Sequence, residues 1–450
     1  MRKFLLSLLL LSGIGVLLRG SVEVVPHAAA LPSYARQTGL PCSGCHYTPP
    51  ELNPAGRLFK LMGYIDKMKD TSITAEPGGR RSGLDMLASL PLGAWFETSF
   101  TSTNAAQTGT QNGNFEFPQD VSLFLAGAWA PHVGSFLQVT YNAQDDHFSM
   151  DNTDIRYANK KQFNGKDWVY GLTLNNNPTV EDLWNSTPAY GYPFIASDSA
   201  PTPAASPLID GPLAQNVAGI GAYTMWNQHL YFDGTIYRSD HIGSPQPNNG
   251  QAASINIQGV APYWRLAWQQ VGRKDNVEVG LYGIHVKSTP GAITGPVDSY
   301  TDFGPDFQYD HTFGKDVLSV RGTFVRENSA LVASESSGAA AVVAHHLNSA
   351  NANAEYHFGN KYSAIFGGFV TSGTADINLY APAAITGSVN GSPKSVGYIA
   401  NVSYWPMQNI DLAFQYTGYT RFNGESTDYD GAGRNASGND TAYLLARFVF

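Results

Sequence analysis

Cysteine is nearly absent: Cys42 and Cys45 are the two in a chain of 450 residues. That excludes a disulfide-stapled scaffold and a complete thiolate zinc cluster. Charged residues make up only 14 %, too few for an ordinary cytosolic surface. After residue 18 no apolar run is long enough to cross a bilayer as a helix. No phosphate-binding loop, hydrolase triad or nucleotide motif is present. The net charge is −9, so nucleic acid is a poor partner. What the chain has instead is 46 Gly, 24 Tyr and 12 % aromatics, a composition that points to an all-β protein in unusual surroundings.

The start of the chain reads as a secretory signal. Arg2 and Lys3 precede an apolar run from Phe4 to Leu18, and Ala28, Ala29 and Ala30 supply a small-residue cleavage site before Leu31. Losing residues 1–30 removes three basic residues and one acid and takes the net charge to −11. Residues 31–90 then form a compact, irregular region with its connector, and residues 91–450 a second region of different character. In the first, Asn53-Pro54 predicts a helix N-cap with a first-turn proline, and Gly63 a stop. Leu58, Leu61 and Met62 share one face of that helix with Phe59 beside it, while Arg57 and Lys60 lie off it.

From Leu92 onward the period is two. Phe303, Phe307, Tyr309 and Phe313 fall on one face, and Asp302, Asp306, Gln308, Asp310 and Thr312 on the other. About 16 such segments are predicted, the first near 92–102, the fourth and fifth at 151–159 and 168–175, the last at 440–450. The apolar phase slips around Gly280 and Gly283, which predicts a bulge. Short connections, such as 130–134, 227–229, 272–276, 314–316, 359–361 and 406–409, alternate with long polar ones at 176–216, 240–260, 328–351, 374–394 and 423–439. This is the pattern of a transmembrane β-barrel of the bacterial outer membrane; the connection near 146–150 is short for its side. Trp129, Trp226 and Trp405 each precede a short turn and predict an aromatic girdle at one rim. Phe450, Phe448, Ala446, Leu444 and Ala442 form one apolar face of the last strand. About 16 strands enclose an aqueous lumen unless something fills it. Asp302, Asp306, Asp310, Glu278 and Asp411 would face inward, either as a lumen that admits cations or as the ordinary polar lining of a barrel.

The cysteines lie in Cys42-Ser43-Gly44-Cys45-His46. Cys-x-x-Cys-His is the attachment sequence of c-type haem. On that reading Cys42 and Cys45 are thioether anchors for one covalently bound haem c, and His46 is the axial iron ligand. A disulfide, half of a zinc site and a thioredoxin-like pair compete with it; the last lacks a βαβ context. Met62 is the best local candidate for the sixth ligand, ahead of Met68 and Met86, although it equally suits an apolar helix face. Arg36, Arg57 and Lys60 either pair with haem propionates or are solvated. Asp145-Asp146-His147 and His345-His346 are short runs that bind metal or are plain loop residues.

The segments Pro32-Ser-Tyr-Ala-Arg-Gln-Thr-Gly39, Cys42-Ser-Gly-Cys-His46, Pro50-Glu-Leu-Asn-Pro-Ala-Gly-Arg57 and Phe59-Lys-Leu-Met-Gly-Tyr64 together resemble the N-terminus of the fused monohaem cytochrome–porin family, which includes the iron-oxidising outer-membrane cytochromes. The resemblance covers about 35 residues; over the barrel it is one of architecture. It implies a haem domain at the periplasmic mouth or inside the barrel, electrons taken from extracellular Fe(II) or another donor, and a soluble periplasmic carrier that receives them. Cys42, Cys45 and His46 carry over residue by residue; no iron-binding residue does. A porin with a haem-bearing plug and an outward electron path are the other readings.

Overall fold

The computed structural model describes residues 31–65, 72–73, 86–87, 91–107, 111–240, 255–290 and 294–450. The signal segment, the connector glycines and arginines at 78–81 and Met68 lie outside the described residues, as does the side chain of Met86. Sixteen strands run in chain order: β1 Leu92–Thr103, β2 Asn114–Ala130, β3 Val133–Asn142, β4 His147–Phe163, β5 Lys166–Asn175, β6 Val217–Trp226, β7 Leu230–Ser239 and β8 Ala261–Val271. They continue as β9 Asp275–Ser288, β10 Asp298–Phe313, β11 Asp316–Ala330, β12 Ala344–Phe358, β13 Tyr362–Gly373, β14 Ser395–Met407, β15 Ile410–Arg421 and β16 Thr441–Val449. Each pairs antiparallel with its chain neighbours, and β16 returns to β1 from Thr441↔Thr103 to Val449↔Trp95, so the sheet has no edge.

Alternation along the strands sorts the side chains between two environments. Phe303, Phe307, Leu172, Ile220, Ile236 and Phe366 are exposed on the outer wall, while Asp302, Asp306, Asp310, Glu278 and Asp411 are buried inside. An outer wall this apolar is stable only against lipid, and this marks a membrane barrel. The inner carboxylates do not line an open cation path, however. Asp310 binds Arg57, Asp306 and Glu278 bind Arg265, Asp411 lies 3.7 Å from Arg447, and Asp302 accepts the Ile209 N–H. Asp310, Asp306 and Asp302 hold chain that fills the lumen, through Arg57, Ser186 and Ile209, while Glu278 and Asp411 pair with arginines of the wall itself.

The short turns gather at one end of the barrel and the long loops at the other. Strand β4 is longer than its predicted span and turns into β5 at Asn164-Gly165, both at positive φ, a two-residue hairpin hidden by the surrounding lysines. The bulge predicted at Gly280 and Gly283 is not there: both β9 ladders keep register through them. A Cβ at Gly280 would press on Glu278, Asp306 and Arg265, so the phase slips because this position must clear a buried guanidinium. The girdle needs one correction. Trp129 and Trp226 lie on the outward parity, but Trp405 falls on the inward one and is buried in the lumen. Phe450 is exposed at the end of the outward face of β16, as expected.

Two stretches of chain fill the interior. The connection 176–216 folds back into the lumen, burying Val180, Leu183 and Trp184, and Trp184 Nε1 donates to Gln269 Oε1 near the turn end of β8. Residues 31–65 enter from the turn end as a plug. The plug has a helix α1, Pro32–Thr38, closed by Gly39 in the left-handed conformation, then a 3-10 turn, Cys42–Gly44, and a helix α2, Pro54–Leu61. Asn53 caps α2 by accepting from the Ala55 and Gly56 N–H groups, as its sequence predicts.

Candidate cofactor site

The buried side of α2 follows its apolar pattern only in part: Leu61 is buried and Met62 packs beside it, but Leu58 and the two cations depart from it. Leu58 is 52 % exposed, whereas Arg57 and Lys60 are buried. The reason is the polar wall. Arg57 Nη2 sits 2.6 Å from Asp310 Oδ2 on β10, and Lys60 Nζ donates to the Asp182 carbonyl of the inward loop at 2.6 Å. Further ties fix the plug: Tyr64 Oη donates to Asp154 Oδ2 at 2.6 Å, Tyr34 Oη to the Ser135 carbonyl at 2.7 Å, and Gln37 bridges the Tyr64 carbonyl and the Ala128 N–H. Arg36 donates to the Leu92 carbonyl.

These ties set the Cys-x-x-Cys-His turn against open space. The N–H groups of Cys45 and His46 both donate to the Cys42 carbonyl, so the two cysteines and the histidine occupy a single tight turn. Cys45 and His46 open onto a cavity of about 340 Å3, within the roughly 300–1,000 Å3 of sites that enclose small molecules and cofactors. Its walls include Tyr34, Phe59, Tyr64, Trp95, Phe136, Tyr190, Phe194 and Trp405, with Lys60 and Arg447 as its cations. Cys42 borders a neighbouring hollow of about 80 Å3, and the two share His46, Pro49 and Trp405.

The donor set fits a haem. Burial pushes the His46 imidazole down to about 4, against the smaller opposing pull of the Glu51 and Pro50 backbone, so the ring is neutral and able to ligate at physiological pH. Its Nδ1 is buried and meets no partner in good hydrogen-bond geometry. Eight aromatic side chains stand in the walls, the kind of surface that packs on a porphyrin face. Burial also brings Lys60 down to about 7, the nearby Arg156 adding to the effect, so an anion in the cavity would find a lysine ready to take up a proton. Of the three basic residues assigned to propionates from sequence, only Lys60 reaches the cavity; Arg57 and Arg36 are engaged with the barrel.

Met62 does not reach it. It ends α2 and packs against the apolar cluster of Leu61, Leu183, Trp184 and Tyr223, and the cavity lining includes neither a methionine nor a second histidine. Asp145, Asp146 and His147 are exposed in the β3–β4 turn. His345 binds Asp376 and His346 binds Thr374, each pair separately, so neither run assembles a metal site. Sequence reasoning missed Trp405, Trp95 and Arg447 as cavity residues; the inward parity of 405 and 447 was the available signal.

The cavity is one of a series. It shares Gly191 and Pro193 with a hollow of about 400 Å3, which shares Ala200, Pro201 and Thr202 with a third of about 490 Å3 among Gln107, Asn112 and Gln144 near the loop end. Residues 188–202 of the inward loop line all three.

Gly56 is the tightest point of the plug. A Cβ there would run into the Cys45 carbonyl and Leu52. Gly56→Ala is expected to lever α2 away from the cysteine turn at a cost of about 1–3 kcal/mol, lowering haem content and speeding protease cleavage of the plug. Unchanged cleavage and haem content would contradict that packing role.

No family model matches the chain, and no curated protein matches its sequence. Among solved structures it is similar to OprB of Pseudomonas putida (11 % identity, 80 % of this chain and 93 % of that one, TM-score 0.49). It is also similar to the anion-selective porin from Comamonas acidovorans (14 %, 80 % and 98 %, TM-score 0.45) and to OmpT of Vibrio cholerae (10 %, 80 % and 96 %, TM-score 0.42). Identities this low transfer no function; the barrel assignment stands on the closed sheet and its apolar exterior.

Proposed function

We propose that this chain is an outer-membrane electron conduit: a barrel that holds one covalently attached haem c on Cys42 and Cys45, with His46 as its iron ligand, inside the turn-end mouth. The observation that carries this reading is that Cys45 and His46 open together onto an aromatic cavity within a lumen filled by the chain's own plug and loop. A haem bound there supplies one-electron chemistry. The protein's part is to hold the ring on a fixed turn, keep His46 neutral, set aromatics around the ring and place Lys60 where a propionate would need a cation. Arg447 is already paired with Glu97 and Asp411. The donor is an extracellular reductant, Fe(II) by resemblance, reaching the interior along the hollows beside residues 188–202; the acceptor is a soluble periplasmic carrier at the turn end.

The test is rapid mixing of the oxidised protein with Fe(II). Fast appearance of a reduced c-type spectrum is the expected result; no reduction at any pH would remove Fe(II) as the donor. The second reading, a porin-type channel whose haem segment is a plug, draws on the barrel itself. Liposome swelling separates the two: the filled lumen is expected to pass small sugars far more slowly than an open barrel of this size.

A further inference from the structure

Glu51 of the plug comes together with Glu355 and His357 of β12, the only group of three metal-ligating residue types within range of one another among the described residues. One ligand atom from each lies within 4.8 Å of the others, and all three side chains are at least 98 % buried. Buried polar atoms ordinarily have partners. Here Glu51 Oε2, both carboxylate oxygens of Glu355 and His357 Nε2 lack a well-formed hydrogen bond. Glu51 and Glu355, though not His357, also border a hollow of about 20 Å3 with Thr48 and Ser363, room for one water or one ion.

The surroundings of His357 accommodate its ligating tautomer. Thr48 Oγ1 lies 2.8 Å from His357 Nδ1; with that nitrogen carrying the proton, Nε2 turns its lone pair toward Glu51 Oε2, 3.2 Å away. Two acceptors face to face need a proton or a cation between them. A metal-binding histidine usually donates its other ring N–H to an oxygen acceptor, a place that Thr48 Oγ1 can fill here. The Arg321 guanidinium forms a buried ion pair with Glu51. Arg321 binds Oε1 and leaves Oε2 for another partner.

We infer that Glu51, Glu355 and His357 bind one divalent first-row transition ion, which clamps the plug to the barrel wall. Two carboxylates and an imidazole suit Mn2+, Fe2+ or Zn2+ rather than a thiolate-seeking ion. Nothing in the site depends on Cys42 or Cys45, so it stands or falls independently of the haem reading.

The experiment uses the full-length protein in detergent, stripped with EDTA and titrated with Mn2+ under electron paramagnetic resonance, where bound Mn2+ loses the six-line signal of the free ion. The parent is expected to retain about one Mn2+ per chain through desalting, displaced by Zn2+. Glu355→Gln and His357→Ala are expected to weaken binding at least tenfold, with heat-dependent gel migration confirming that each barrel has folded. A parent that leaves the Mn2+ signal unchanged holds water or a shared proton there, and the proposal fails. It fails equally if both folded variants bind as the parent does.

Discussion

Replacing Cys42 and Cys45 together by alanine is expected to abolish covalent haem while the barrel still folds. Two thioethers would be the only covalent links between a haem and this chain, since no other cysteine exists. The sulfurs belong to a turn closed by two hydrogen bonds to the Cys42 carbonyl, with Cys42 N–H donating to Gln408 Oε1 at 3.2 Å, so alanine fits the backbone without strain. A haem-stained denaturing gel reads the result: full loss in the double variant, and retention of stain with an altered absorption spectrum in His46→Ala, which keeps the anchors and loses the ligand. Stain that survives in the double variant would end the attachment reading. An unstained parent purified from a host competent in haem attachment would do the same.

The second large effect is expected at Arg265. Its guanidinium lies on β8, fully buried, with Nη1 2.9 Å from Asp306 Oδ1 and Nη2 2.8 Å from Asp306 Oδ2, 3.1 Å from Glu278 and 3.1 Å from Asp182 of the inward loop. It also lies over the Trp184 ring at 5.4 Å. One cation therefore ties the loop to two strands. Arg265→Met leaves three buried carboxylates without it, and removing one partner of a buried pair costs about 3–5 kcal/mol. The loss falls on the connection 176–216, because the strand ladders on either side are continuous. Expected outcomes are a lower melting temperature and solute entry into proteoliposomes several times faster than with the parent, as the loop leaves the lumen. Unchanged permeability and melting would show that the loop is held elsewhere.

The strands were legible because their residues choose between lipid and lumen at every second position. Phe303 and Asp306 carry that choice openly, and turns such as Gly314-Lys315 punctuate it. The plug was legible only in its local parts. Asn53, Pro54 and Gly63 bound a helix from within the segment, but which face of it is buried depends on Asp310, some 250 residues away. Amphipathic reasoning assumes an apolar interior; inside a polar barrel it assigns Leu58 and Arg57 the wrong way round. Gly280 misleads similarly, since a position emptied for the Arg265 guanidinium looks from the sequence like a break in register. Trp405 was read as a rim residue because it precedes a turn, although its parity points inward. The cluster of Glu51, Glu355 and His357 leaves no trace in spacing, because it exists only after the plug has docked.

Strand β1 begins some thirty residues after the plug ends, and it is β1 that pairs with β16 to complete the wall. The plug lies inside that wall, crossed by ties to β4, β10 and β12. Biogenesis therefore has an order built into it. A group proposed to be loaded onto Cys42 and Cys45 would find residues 31–65 most accessible before the first and last strands zip together. Arriving later, it would have to reach the buried Cys42 through the turn-end mouth.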